Sequence, residues 1–174
     1  MMATVPSLAA LMAKLSQSKP KVKTKKPAHV QPVDPDQTSY QDDFLALNAQ
    51  FPEVRESLKH ITASDLVGAQ RGAICQALKS LSARTRLTVE SAEELEIDEN
   101  AVKILLLTAE EKYASWTPAD VMAEAMALAR RISKHSKEQD KNELTVAIRD
   151  AENQGNSALA GKLLKQYQEL LKGD

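Results

Sequence analysis

The chain has 174 residues, and its 23 Lys and Arg against 24 Asp and Glu leave a formal charge of −1. That balance excludes a protein that coats nucleic acid by bulk charge and one built as an acidic tail. One Trp, three Tyr, two Phe and five Gly, set beside abundant Ala, Leu, Lys, Glu and Gln, make a sandwich or barrel the poorer fit and predict an all-α fold.

Residues 1–33 carry six lysines and no acid, so the remaining 141 residues, with seventeen Lys and Arg against 24 acids, carry −7. Five of the seven prolines fall in the first 35 residues, and the stretch from Ser16 to Thr38 has too few large apolar side chains to offset its ordering entropy. Residues 1–38 therefore read as a basic Lys/Pro-rich tail or linker. One short helix is expected at 6–16, where Leu8, Leu11, Met12 and Leu15 have helical spacing after Pro6-Ser7.

A helical bundle is expected over 39–135. Its first helix carries Tyr40, Phe44, Leu45 and Leu47 and stops at Phe51-Pro52, and Pro52 opens a second with Val54 and Leu58. Thr62 and Asp65 resemble a capping box for a third helix, whose buried face runs through Leu66, Ile74, Leu78 and Leu81. Ser82 to Val89 reads as a loop, Ser91 to Leu95 as a short helix. Asp98 then caps the run Ala101 to Leu107, which by composition is the least exposed segment and the expected central core helix.

Thr117-Pro118 pairs an N-cap with an N1 proline, and no Gly or Pro follows until Gly155. The spacing predicts one helix to Gln154, roughly 55 Å long at 1.5 Å per residue, which a compact domain of this size cannot bury throughout. Val121, Ala125, Leu128 and Ile132 form one apolar stripe; Leu144, Ile148 and Ala151 form another, beyond the polar stretch Ser136 to Glu143. A turn at Asn153 to Asn156 leads into a last helix with Leu159, Leu163, Leu164, Tyr167, Leu170 and Leu171. Residues 136–174 thus read as a protruding antiparallel hairpin.

Little in the sequence carries catalytic chemistry. Cys75 is the single cysteine, so no internal disulfide can form, and it reads as a small buried residue in a cytoplasmic protein. No apolar run reaches the roughly 18 residues that span a bilayer, and the N-terminal stretch lacks the basic region and cleavage site of a secretion signal. His29, His60 and His135 have no metal-ligand spacing, and neither a metal nor another cofactor is expected. Glu93-Glu94 and Glu110-Glu111 are solvated faces rather than paired catalytic acids. Gly68 to Gly72 is neither a P-loop nor a dinucleotide loop, and no GxSxG occurs. The chain is not expected to be an enzyme. Trp116 suits a packed helix corner better than a partner anchor, whereas a two-helix unit carrying Tyr167 and Leu171 has little room to bury its own apolar face.

The succession Asp43-Phe44-Leu45-Ala46-Leu47, Gln50-Phe51-Pro52-Glu53-Val54 and the Leu-rich run into Ala109-Glu110-Glu111-Lys112-Tyr113 resembles the helicase-binding C-terminal domain of bacterial DNA primase, the DnaG family. Glu143 to Glu152, the polar turn and Leu163 to Leu171 resemble that family's terminal hairpin, so the resemblance covers roughly Tyr40 to Leu171. It implies a helical bundle, a long connecting helix and a hairpin that docks on the N-terminal domain of the replicative helicase, DnaB. The zinc-binding and TOPRIM domains that make primers in that family have no counterpart motifs in this chain. The expected role is a primosome adaptor in DNA replication, with Arg149, Tyr167, Gln168, Leu171 and Lys172 as contact candidates.

Two other roles fit parts of the sequence. A nucleic-acid-binding accessory would use Lys19, Lys21, Lys23, Lys25 and Lys26 as salt-dependent phosphate contacts. A helicase N-terminal-domain-like assembly module would share the bundle but not the isolated hairpin.

Overall fold

The computed structural model describes residues 35–172, and among these it contains helices and no strand, the all-α fold that composition predicts. The helix expected at 6–16 and the tail lysines lie outside the described residues. Helix α1 (Pro35–Gln50) starts four residues before the expected Ser39 and ends where Pro52 forbids continuation. Phe44, Leu45, Ala46, Leu47 and Ala49 are fully buried, and so is Asn48 between them. A helix apolar on all sides must be surrounded, and α1 is the centre of the bundle.

The segment from Pro52 is a 3₁₀ helix to His60, not an α-helix. Three residues per turn align Arg55, Leu58 and Ile61 on one edge and Val54 and Ser57 on the next, and all five are buried. The polar members are anchored. Asn48 Nδ2 donates to the Phe44 carbonyl at 2.9 Å, and Ser57 Oγ donates to Asn48 Oδ1 at 3.2 Å. Arg55 donates to the carbonyls of Asn48 (3.2 Å) and Ser82 (2.7 Å), so one guanidinium holds α1 to the loop after the next helix.

The capping box of Thr62 and Asp65 forms, but it closes a three-residue 3₁₀ turn, Ala63–Asp65. The chain is extended at Leu66 and turns at Gly68, whose φ of +86° suits glycine, before α2 (Ala69–Ser80) begins. The third helix is therefore shorter than its cap suggests. Arg71 on α2 makes a two-pronged pair with Asp42 on α1, at 2.7 and 2.9 Å. Cys75 is buried, and burial pushes its thiol pKa up. Thr88 caps α3 (Val89–Glu94) with Ser91 as its box partner, so Ser91 completes a helix start rather than making one.

Asp98 caps α4 (Glu99–Tyr113) as expected, but α4 is not the central helix. Val102, Leu105, Ala109 and Tyr113 face α1, while Ile104 and Leu107 remain 63 % and 65 % exposed. Composition carries no phase: the outward pair falls between the inward positions of a 3.6-residue turn. Lys112 of α4 pairs with Asp43 of α1 at 2.7 Å.

Helix α5 (Pro118–Asn153) opens on the Thr117–Asp120 capping box and runs 36 residues, about 54 Å. Its first half packs Val121, Ala125, Leu128, Ala129 and Ile132 into the bundle. Near the middle of α5, the Ser136 hydroxyl donates to Asp65 Oδ1 at 2.7 Å. Burial raises the Asp65 pKa, but the Thr62 amide and the hydroxyls of Ser136 and Thr62 outweigh it and hold the carboxyl below its ordinary value. The second half of α5 pairs with α6 (Ser157–Lys172).

Candidate functional site

The turn between α5 and α6 is set by two residues. Gly155, at φ +69°, donates to the Glu152 carbonyl, and Asn156 donates to that of Ala151, each at 2.9 Å, which closes a Schellman end. Asn156 Oδ1 then accepts the Leu159 amide at 3.1 Å and starts α6. The two helices are forced back on each other.

What they bury is small. Ala151 and Ala160, on either side of the turn, are the buried apolar residues of this region. Leu144, Ala147 and Ile148 of α5 and Leu163, Tyr167 and Leu170 of α6 are half-buried on the facing stripes. Leu164 and Leu171 remain 42 % and 49 % exposed along one flank of α6. The opposite flank is a groove of about 700 Å³, with Leu144 and Leu170 as its floor and Asp140, Glu143 and Glu169 along its rim. The hairpin thus has a leucine ridge on one side and an acid-rimmed groove on the other.

Of the expected contact residues, Gln168, Leu171 and Lys172 come together, because spacings of three and four place them with Leu164 on neighbouring positions of α6. Tyr167 lies on the inward stripe and helps to close the hairpin. Arg149 does not join them: two residues before the buried Ala151, it lies about 160° around α5. Nor is it level with Leu171. The groove places Leu170 beside Asp140, nine residues from Arg149, or about 14 Å along the axis.

A second apolar surface lies on the bundle, where the exposed Ile104 joins Asp42, Arg71, Ile74 and Lys112 around a groove of about 490 Å³ between α1, α2 and α4. Its sequence signal is the run Ala101 to Leu107 of α4, apolar except for Lys103, which has more large apolar side chains than one face can bury. Trp116 is 40 % exposed beyond α4, its ring meeting Tyr113 edge-on at 5.0 Å and 89°. It forms the corner and still shows a face to solvent.

Among the described residues, no group of three or more His, Cys, Asp and Glu is placed to hold a metal ion, and no helix is long and apolar enough to cross a membrane. The fold and its surfaces define an all-helical protein in which a buried-core bundle carries a hairpin on a continuous helix. Comparison with family models, curated proteins and solved structures gives no match.

Proposed function

We propose that this chain is a non-catalytic adaptor whose hairpin docks on the N-terminal domain of a DnaB-type replicative helicase, the role its resemblance to the DnaG C-terminal domain implies. The observation that carries the reading is the ridge of Leu164 and Leu171, half exposed on the helix that packs against the end of α5. Covering such leucines together with a polar rim is what a helix-pair interface does, and Gln168 and Lys172 supply that rim. Tyr167 acts here by holding the hairpin closed, and Arg149 belongs to a separate face.

The test is calorimetric titration of the full chain with the helicase N-terminal domain from the same organism. The double substitution L164D/L171D places charge on the ridge without touching Ala151 or Ala160. Saturable binding that weakens by on the order of tenfold or more, at unchanged helicity, is the expected result. Unaltered affinity in that variant, or in a chain ending at Glu138, contradicts the assignment.

A further inference from the structure

One flank of the hairpin is complementary to the other. Leu164 and Leu171 stand seven positions apart, about 10 Å along α6, and Lys165 and Lys172, each one position further on, border them. On the opposite flank the groove of about 700 Å³ is lined along α5 from Asp140 to Ala147, again seven positions and about 10 Å. Its floor is Leu144 and Leu170, and its rim is Asp140, Glu143 and Glu169. A leucine pair with a basic border thus has, on the same molecule, a leucine floor of equal length with an acidic rim.

The charges on both flanks are available. Lys165, Lys172, Asp140 and Glu169 are exposed and, among the described residues, form no ion pair. Glu143 accepts a hydrogen bond from the neutral Gln139 amide at 3.1 Å, which leaves further acceptor sites on its carboxylate. The three acids gather where Leu170 lies beside Asp140, and the ridge carries a lysine at each end, so a cation meets them whichever way an incoming ridge runs. The ridge cannot enter the groove of its own hairpin, because α6 carries the two on opposite flanks. A match of this kind is satisfied between molecules.

We infer that the leucine ridge of one copy of this chain seats in the acid-rimmed groove of a second copy. The second copy supplies what the groove selects for: apolar side chains, cations beside them, and a span of seven helical positions. Because two different surfaces meet, the contact is head-to-tail. Each copy can give its ridge and receive another's, which builds rings or open chains rather than closed twofold pairs. Two leucines from each side make a small contact, so association is weak and falls as salt rises. The contact does not depend on helicase binding, but it covers the same leucines, so the two exclude each other.

Sedimentation velocity of the full chain, at concentrations up to on the order of 1 mM as weak contacts require, tests it. L164Q/L171Q removes the ridge and leaves the groove; D140N/E143Q/E169Q neutralises the rim and leaves the ridge. All five positions are exposed, and circular dichroism checks that helicity is kept. Neither variant introduces a charge, so mixing them creates no new attraction. The full chain is expected to grow beyond the monomer with concentration, and each variant alone to associate on the order of tenfold or more weakly. Mixed, the two variants should form one-to-one pairs, since one intact ridge then meets one intact groove and neither free end can extend. A tail variant with Lys19, Lys21, Lys23, Lys25 and Lys26 changed to Ala should associate as the full chain does. A full chain that stays monomeric, a mixture no heavier than its parts, or loss of association in the tail variant overturns the inference, the last by assigning the groove to the tail. None of these readouts uses the helicase, so their failure is distinct from failure of the adaptor reading.

Discussion

The bundle and the hairpin are made of the same material, amphipathic helices rich in Leu and Ala, but bury it to different depths. In the bundle, Phe44, Leu45, Leu47, Leu58, Ile61 and Leu78 are almost completely removed from water, each contributing roughly 1.5–3 kcal/mol. In the hairpin, two alanines reach that state and the leucines are half-buried or exposed. The bundle is thus stabilised by its own core, while the hairpin relies on its turn, on helix propensity and on whatever covers its ridge. Two packed layers can enclose a face on both sides; two lone helices cannot.

The comparison breaks most sharply at Phe44. Replacing it with Ala is expected to cost the bundle about 3–5 kcal/mol, measured by urea denaturation, because α1 is enclosed on every side. Trp116 makes the assay regional: it contacts Tyr113 at the end of α4, and the hairpin has no tryptophan. Its fluorescence should follow the bundle, with helicity from the hairpin disappearing at lower urea. A single coincident transition by both probes would erase the distinction between the two regions.

Gly155→Ala tests the other side. Nothing lies within 4 Å of the added Cβ, so the cost is backbone strain at φ +69°, about 1–2 kcal/mol, confined to the turn. The early helicity loss should shift to lower urea while the Trp116 transition stays in place. A shift of both transitions would mean that the regions unfold as one.

A third effect is in the alkaline range. Burial first, then the Asp43 and Glu124 carboxylates, push the Tyr113 pKa up to about 12. A raised phenol pKa means that the folded state favours the neutral ring, so this stabilisation is complete below about pH 10, the ordinary value, and is lost as pH rises toward 12. Tyr113→Phe should flatten that part of the pH–stability curve for the bundle and leave the hairpin unchanged. An identical alkaline loss in the variant would place its origin elsewhere.

Much of the helix layout was legible in the sequence because helix ends are written in local chemistry. Asp98, Thr117 with Pro118, and Gly155 each mark a boundary that the structure keeps, since a cap or a left-handed turn needs only its neighbours. The stripes of α5 were equally plain. What escaped depends on surroundings. The run Ala101 to Leu107 did not reveal which side meets α1, and Asn48 reads as a flaw in an apolar helix until Ser57 and Arg55 surround it.

One helix joins both regions without a break, and this gives length a meaning in α5 that it lacks in a loop. Inserting one residue after Ser136 would turn the hairpin by about 100° relative to the bundle and carry it 1.5 Å outward. Seven inserted residues would return it to within about 20° of its starting bearing while advancing it roughly 10 Å. The connection behaves as a vernier. Changes in its length come in permitted steps of near seven or eleven residues, and any other step re-aims the leucine ridge away from the side it now faces.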